Sequence, residues 1–194
     1  MANTFRRFGY RVTWRPINQI NSTTNLSTEI ASVNSPDLAT ILKHTLLWSE
    51  NYYAEYLARI ATMKAGYTYD GTGINNVFHD VLTKAEIPNP AITVKDGSGL
   101  SGQNKISALT LAQALTKIYK DPKYKTLIEG LPVGGVSGTL KSRFLNTAPQ
   151  GVGLVRAKTG TLNGVVNLAG YIDSGVHENA FVVIADHVRH SHYA

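Results

Sequence analysis

The chain of 194 residues contains no cysteine, which excludes a disulfide scaffold, a catalytic thiol and a cysteine-ligated zinc site. Long apolar runs are also missing, since no stretch approaches the roughly 20 residues that a membrane-spanning helix needs. The basic start Met1–Phe8 is not followed by an apolar stretch, so no signal peptide is visible. What is present is a hydrophobic content of 43%, which is enough for the core of one domain.

Acidic residues are scarce, because 13 Asp and Glu stand against 19 Lys and Arg for a net charge of +6. The densest basic patch lies within residues 1–27, where apolar and basic side chains alternate from Tyr10 to Arg15. A ribbon that binds nucleic acid is one interpretation, but no recognised module accompanies it and we expect no nucleic-acid partner. An amphipathic strand and attraction to an anionic cell wall are the alternatives. Residues 1–27 therefore stay an unassigned, strand-like segment.

Helical spacing dominates the middle of the chain, and strand patterns dominate its end. Helices are predicted at about 36–48, 52–61, 74–85, 107–119 and 122–130, and strands at 152–158, 165–172 and 180–186. Ser35 is the expected N-cap of the first helix. The last two strands are almost continuously apolar, so we expect both in the centre of a sheet. This order predicts an α/β domain over residues 28–194, with helices packed on an antiparallel sheet.

The triplet Ser49-Glu50-Asn51 falls at the junction of the first two predicted helices. A side chain held at such a junction is rigid and still able to point into a cleft. The alternative is an ordinary helix N-cap, in which Ser49 or Asn51 satisfies free backbone amides. The pattern alone does not decide between them, since 32–34 has the same Ser-x-Asn form.

The segment Ala157–Val165 has the pattern of a strand, a tight glycine turn and a returning apolar strand. Lys158 supplies a positive charge and Thr159 a hydroxyl on one strand, which together can hold a substrate carboxylate against its edge. A phosphate-binding loop is excluded because Ala157 occupies the position that needs glycine. The remaining alternative is a lysine that protects an edge strand from aggregation.

A glycine-rich turn lies between these two motifs, at Asp96-Gly97-Ser98-Gly99-Leu100-Ser101. Neither of its serines is expected to be a nucleophile. Neither lies in a Gly-x-Ser-x-Gly sequence, and neither is followed by a lysine three residues later. A plain turn between a strand and a helix explains the composition equally well.

In this order, the three motifs resemble the active-site elements of penicillin-recognising serine enzymes. More narrowly, they resemble D-alanyl-D-alanine carboxypeptidases/endopeptidases of the penicillin-binding protein 4 type, over roughly Ser35 to Ala185. The resemblance implies a β-lactamase/transpeptidase-like sandwich, incomplete here, that acts on peptidoglycan stem peptides ending in D-Ala-D-Ala. It also implies β-lactam binding, a periplasmic or extracytoplasmic location, and no metal or organic cofactor.

The resemblance also implies roles for single residues, with a catalytic set of Ser49, Asn51 and Lys158 and a substrate-binding set of Thr159, Gly160 and Thr161. The Ser49 hydroxyl would relay a proton to the leaving amine, and the Asn51 amide would hold the peptide carbonyl. Lys158 and Thr159 would bind the terminal carboxylate. The Thr161 backbone amide would donate to the oxyanion, and Gly160 would let the substrate approach closely.

Two family features are missing. No Ser-x-x-Lys occurs anywhere in the 194 residues, so the family's nucleophile and its lysine are absent. Gly102 stands where the family has a basic residue. Three interpretations are therefore open. The chain is a fragment of a longer enzyme, or it is one half of an enzyme whose nucleophile comes from a separate N-terminal half. In the third interpretation it is a non-catalytic binder of wall peptides or a decayed gene fragment. We expect this chain alone to be inactive.

Three histidines, His187, His190 and His192, cluster near the end of the chain. They are compatible with a metal site or with adventitious binding by a frayed end. Because no carboxylate framework surrounds them, we predict no physiological metal site.

Overall fold

The structure is a computed structural model in which residues 32–88 and 92–188 are described. The chain divides into two compact units, residues 1–35 and 36–194, and the second unit is the one described below. Of the first unit, only residues 32–35 are described, and they are exposed without regular secondary structure. The strand-like segment 1–27 lies outside the described residues, so it and the domain boundary at residue 28 stay predictions.

Five α-helices precede the sheet in the described part of the second unit, namely α1 (Leu38–Trp48), α2 (Asn51–Lys64), α3 (Gly71–Lys84), α4 (Ala108–Lys120) and α5 (Lys125–Gly130). Side-chain caps begin three of these five helices. In α3 Asp70 accepts the Gly73 amide, and in α4 Ser107 accepts the Thr110 amide. The expected cap at Ser35 is wrong. Asp37 caps α1 instead, accepting the Thr40 amide at 2.7 Å.

The sheet consists of β1 (Val155–Leu162), β2 (Val165–Asp173) and β3 (Glu178–Asp186), antiparallel and in the order β1-β2-β3. β1 and β2 are joined by a two-residue turn whose Gly164 has φ +79°, a conformation that glycine adopts without strain. The turn lies at 163–164, so Lys158, Thr159 and Gly160 are inside β1 and not at its end. β2 is central as predicted. The central position predicted for β3 is wrong among the described residues, where β3 is an edge.

The two faces of the sheet are different. One face packs Val155 and Ala157 against Leu140, with Phe144 and Leu168 around them. The opposite face carries Lys158 and faces the helices. There the Tyr171 hydroxyl donates to the Leu115 carbonyl of α4 at 2.9 Å, which ties α4 to β2. A second core cluster joins the helices to residues 87–94 (Ile74, Leu82, Ile87, Ile92 and Val94).

Many large apolar side chains of this unit remain exposed. Trp48 at the end of α1 is 52% exposed, Tyr52 and Met63 of α2 are 78% and 53% exposed, and Val183 of β3 is 56% exposed. Helices and an antiparallel sheet establish the α/β class, and the exposed apolar surface is what an incomplete sandwich leaves uncovered. No described helix has the length and apolar character required to cross a membrane.

Candidate active site

The edge of β1 is covered along its first part and open at the lysine motif. Residues 132–134 run beside the start of the strand, where the Ala157 amide donates to the Pro132 carbonyl and the Gly134 amide donates to the Val155 carbonyl. Because backbone groups alternate in direction along a strand, Thr159 and Thr161 also direct their N–H groups away from β2. Residues 132–134 end before that point. The amides of Thr159 and Thr161 are therefore available on the cleft side of the edge.

Lys158 and Ser49, which are 109 residues apart in sequence, meet at this open edge. The Lys158 ammonium donates to Ser49 Oγ at 2.7 Å and to the carbonyl of Thr159 at 2.7 Å. Burial lowers the pKa of Lys158 from its ordinary value, since desolvation disfavours the charged form. A lysine with a lowered pKa that touches a hydroxyl can both attract an anion and exchange a proton with that hydroxyl.

Ser49 is held in a conformation that few non-glycine residues adopt. It terminates α1 with φ 61° and ψ 47°, in the left-handed region. The amide of Glu50 donates to the Thr45 carbonyl at 3.1 Å, and Asn51 then begins α2. The N-cap alternative for Ser49 does not hold, because Ser49 terminates a helix and Glu50 occupies the N-cap position of α2.

The glycine-rich turn 96–101 is organised around the Asp96 carboxylate. Its Oδ1 accepts the Gly99 amide at 2.6 Å and the Ser98 hydroxyl at 3.0 Å, while Oδ2 accepts the Ser101 amide at 2.7 Å. Burial alone raises the pKa of Asp96, but these hydrogen bonds and one from Asn104 outweigh it, so the pKa lies below its ordinary value. The Ser98 hydroxyl and the Ser101 amide therefore help to fold the turn, and that neither serine is a nucleophile stays a prediction.

Glu55 of α2 fixes this turn against the helix that begins at Asn51. Its Oε2 accepts the amides of Gly97 at 2.6 Å and Ser98 at 3.1 Å, and its Oε1 pairs with Arg59 at 2.7 Å. Sequence reasoning did not assign Glu55 a role. The available signal was its position four residues after Asn51, which places both residues on the same side of α2.

A cleft of about 520 Å³ joins these parts. The six predicted site residues all line it, contributed by the α1–α2 junction and by β1 (Ser49, Asn51, Lys158, Thr159, Gly160 and Thr161). The Thr159 hydroxyl donates to Thr139 Oγ1 at 3.2 Å, a neighbour that sequence reasoning missed. The structure thus brings these six residues together, with the middle of the glycine-rich turn beside them.

An apolar groove of about 320 Å³ adjoins the cleft on the same face of the sheet. Leucine and isoleucine side chains from α1, α4 and α5 form one wall, and Ala169 and Tyr171 of β2 form the other. Lys158 and Asn167 line both the groove and the cleft. Within the described residues, Asn167 Oδ1 is the buried side-chain oxygen that lacks a hydrogen-bond donor. Asn167 was also missed, although it interrupts the apolar run at the start of β2.

The described residues contain no cluster of histidine and acidic side chains that could hold a metal ion. His187 lies beside Asp186, with Nδ1 and Oδ2 3.5 Å apart, and both side chains are largely exposed. His190 and His192 lie outside the described residues. The prediction about a site that includes all three histidines therefore stays a prediction.

The sequence is similar to a known family over almost its whole length. The model of the D-Ala-D-Ala carboxypeptidase 3 (S13) family matches residues 8–193. A penicillin-sensitive carboxypeptidase A of Dictyostelium discoideum is 37% identical over 144 residues, which are 72% of this chain and 27% of that protein. A D-alanyl-D-alanine carboxypeptidase of an Actinomadura strain is 34% identical over 161 residues, which are 80% of this chain and 29% of that protein.

Solved structures agree with this similarity. Penicillin-binding protein 4 of Haemophilus influenzae, crystallised with a β-lactam, superimposes with a TM-score of 0.72 and 29% identity over 79% of this chain and 36% of that one. A second crystal structure of the same protein gives a TM-score of 0.71 and 30% identity, over 80% of this chain and 35% of that one. The chain spans about three-tenths of the length of the curated relatives it matches.

Proposed function

Because the chain belongs to the D-Ala-D-Ala carboxypeptidase 3 (S13) family, of the penicillin-binding protein 4 type, we propose that it is the substrate-anchoring and proton-relay portion of a serine-type D-Ala-D-Ala carboxypeptidase or endopeptidase of peptidoglycan. The observation that carries this proposal is the 2.7 Å contact between Lys158 Nζ and Ser49 Oγ at the open edge of β1. It joins two distant motifs into one polar centre inside a cleft of the size that small ligands occupy.

Each side chain of the centre has a task that follows from its position. The Lys158 ammonium and the Thr159 hydroxyl bind the terminal carboxylate of the substrate. The Thr161 amide, on the open edge, donates to the oxyanion that forms when the scissile carbonyl is attacked. Gly160 adds no side chain between the strand and the bound peptide.

The remaining two residues act on the peptide bond that breaks. The Asn51 amide holds the peptide carbonyl. The Ser49 hydroxyl gives its proton to the leaving D-alanine amine and takes one from the Lys158 ammonium, and the proton that the attacking serine loses on forming the acyl-enzyme restores the ammonium. Lys158 is suited to this transfer because its lowered pKa makes the ammonium a stronger acid than an ordinary lysine. Water then hydrolyses the acyl-enzyme and releases the shortened peptide.

The attacking serine comes from outside this sequence. No Ser-x-x-Lys occurs in the 194 residues, and the chain alone is inactive in covalent chemistry. Two features favour a missing segment beside Lys158, namely the apolar groove of about 320 Å³ and the buried Asn167 oxygen without a donor. A nucleophile-bearing N-terminal half that covers the groove would bring its serine to the cleft.

The absence of the nucleophile also favours a second candidate, a non-catalytic module that binds peptidoglycan peptides, or a decayed gene fragment. Both candidates share the carboxylate anchor and place the protein outside the cytoplasmic membrane, where peptidoglycan lies. β-Lactams are further ligands on either proposal, since they imitate the D-Ala-D-Ala terminus. Neither proposal requires a metal or an organic cofactor.

The experiment is a calorimetric titration of the chain with an N-acetylated tripeptide ending in D-Ala-D-Ala, as the free acid and as the C-terminal amide. We expect the acid to bind roughly ten- to a hundred-fold more tightly, because a charge-assisted hydrogen bond contributes about 1.5–3 kcal/mol. Equal binding of acid and amide, or no binding of either, would contradict the proposal.

A further inference from the structure

Thr139 is the side-chain neighbour of the Thr159 hydroxyl at the open edge of β1. It belongs to a single 3-10 turn, Gly138–Leu140, and precedes Thr159 by 20 residues. The Thr159 hydroxyl donates to Thr139 Oγ1 at 3.2 Å, in a partly buried contact. Thr139 is not among the described residues that line the cleft, whereas Thr159 is. Thr139 can therefore act on a ligand in the cleft through Thr159.

The turn that carries Thr139 lies between the two elements that form the polar centre. On one side the fully buried Leu140 packs against the start of β1. On the other side Gly138, with φ +53°, lies so close to the Leu47 carbonyl of α1 that a Cβ at this position would clash with it. Leu47 precedes Ser49 by two residues. The turn therefore holds Thr139 in a fixed position relative to β1 and to the end of α1.

The direction of this hydrogen bond has a consequence for ligand binding. A hydroxyl has one proton to donate, and the Thr159 proton is directed at Thr139 in the empty cleft. When the Thr159 hydroxyl donates to a carboxylate, its proton turns away from Thr139. The Thr139 hydroxyl can then donate its own proton to Thr159 Oγ1, because it is given to no other acceptor in the described part of the chain. A separation of 3.2 Å suits both directions, so the oxygen atoms do not have to move.

We propose that Thr139 is a positioning residue of the carboxylate anchor, which holds the Thr159 side chain and reverses its hydrogen bond with Thr159 when a D-Ala-D-Ala carboxylate binds. This inference rests on the proposed function, because it takes the Thr159 hydroxyl as a donor to that carboxylate. In the bound state two hydroxyls in series end on the anion, and each hydrogen bond polarises the next. Because threonine is branched at Cβ, few rotamers are open to Thr159, and one fixed partner is enough to select among them.

The test is calorimetric titration with the free acid and the C-terminal amide of one N-acetylated D-Ala-D-Ala tripeptide. Thr139→Val removes the hydroxyl and keeps the shape of the side chain. We expect it to bind the acid about fivefold more weakly, as for the loss of one neutral hydrogen bond, and the amide with nearly unchanged affinity. Thr139→Ala should show the same loss, and Thr139→Ser, which keeps the hydroxyl, should recover most of the acid binding. The matched control Thr116→Val removes a hydroxyl of α4 that lies outside the cleft and should bind both peptides as the wild type does.

A second background separates positioning from general stabilisation. In Thr159→Val, the further change Thr139→Val should have no effect on acid binding, because Thr139 acts through the Thr159 hydroxyl. An effect of the same size in this background, or equal weakening of acid and amide, would overturn the inference.

The remaining outcomes separate this inference from the proposed function. Wild-type acid binding in Thr139→Val and Thr139→Ala, with acid still preferred to amide, would overturn the role of Thr139 and leave the carboxylate anchor intact. Equal binding of acid and amide by the wild-type chain, or no binding of either, would overturn both. A loss confined to the acid, recovered in Thr139→Ser and absent in the Thr159→Val background, would support the inference.

Discussion

Replacing Glu55 by alanine would remove the carboxylate that holds the glycine-rich turn on α2. Two amides donate to its Oε2, at 2.6 and 3.1 Å, and Arg59 pairs with Oε1 at 2.7 Å. Hydrogen bonds to a charged group contribute about 1.5–3 kcal/mol each. The side chain is 20% exposed and the two amides share one oxygen, so we expect a loss of about 3 kcal/mol in the free energy of unfolding and not the full sum.

Urea unfolding followed by far-ultraviolet circular dichroism measures this loss. With a denaturant slope of about 2 kcal/mol per molar, the midpoint should fall by about 1.5 M. Glu55→Gln retains one acceptor oxygen and should lose about half as much. The control Glu86→Ala, at a carboxylate that is 87% exposed, should stay within about 0.5 kcal/mol of the wild type. A Glu55→Ala midpoint equal to that of the control would refute the anchoring role of Glu55.

Three further predictions concern the lysine, the missing nucleophile and the exposed surface. Burial lowers the pKa of Lys158 below its ordinary value of 10.5. As the pH rises, binding of a peptide that ends in the free D-Ala-D-Ala acid should therefore begin to weaken before pH 10.5 is reached. Lys158→Arg should keep its binding to higher pH, and identical pH profiles would contradict the role of the buried ammonium. Between the lowered pKa and 10.5, Lys158 is deprotonated in the folded chain and protonated in the unfolded chain, so the free energy of unfolding that Lys158 contributes should grow as the pH rises through this range. Unfolding measured as a function of pH should show no such growth for Lys158→Met. A fluorescent penicillin should form no covalent adduct with the chain, because no Ser-x-x-Lys is present. An adduct detected by intact mass spectrometry and mapped to a serine by peptide mass spectrometry would show that the chain carries a nucleophile of its own. The chain should bind a hydrophobic dye or self-associate, because Tyr52 and Val183 are 78% and 56% exposed, whereas a dye-free monomer with a sharp melt would indicate a self-sufficient domain.

The motif residues were predictable because their chemistry is local and unusual. A lysine and a threonine on a strand that returns through a glycine turn identify Lys158 and Thr159 as an edge site, and the junction of two helices identifies Ser49. The family resemblance added their order along the chain. That Lys158 and Ser49 belong to one site was an expectation of the resemblance and not of the spacing, since 109 residues separate them, and their contact at 2.7 Å is a finding of the structure.

The supporting residues were not predictable for a physical reason. Glu55 acts through the amides of Gly97 and Ser98, which lie 42 and 43 residues further along the chain, so its position in α2 does not by itself give it a role. Asn167 stands out because its side-chain oxygen is buried without a donor among the described residues, which is a property of the folded structure and not of the sequence pattern. The N-cap of α1 was misplaced because Ser35 and Asp37 are both good caps, and in the structure the Asp37 carboxylate accepts the Thr40 amide. β3 was expected to be central because it is apolar, but an apolar strand at the edge of the described sheet is equally consistent with a partner segment that covers it.

A double-mutant cycle tests the carboxylate anchor most directly. The wild-type chain and Lys158→Ala are each titrated by calorimetry with the acid and the amide of the same D-Ala-D-Ala peptide, with Lys141→Ala as a control lysine outside the cleft. The account predicts a coupling energy of about 1.5–3 kcal/mol between Lys158 and the terminal carboxylate, and equal binding of both peptides by Lys158→Ala. A coupling energy near zero, with the acid preference unchanged in Lys158→Ala, would reduce Lys158 to an edge-strand charge and contradict the account.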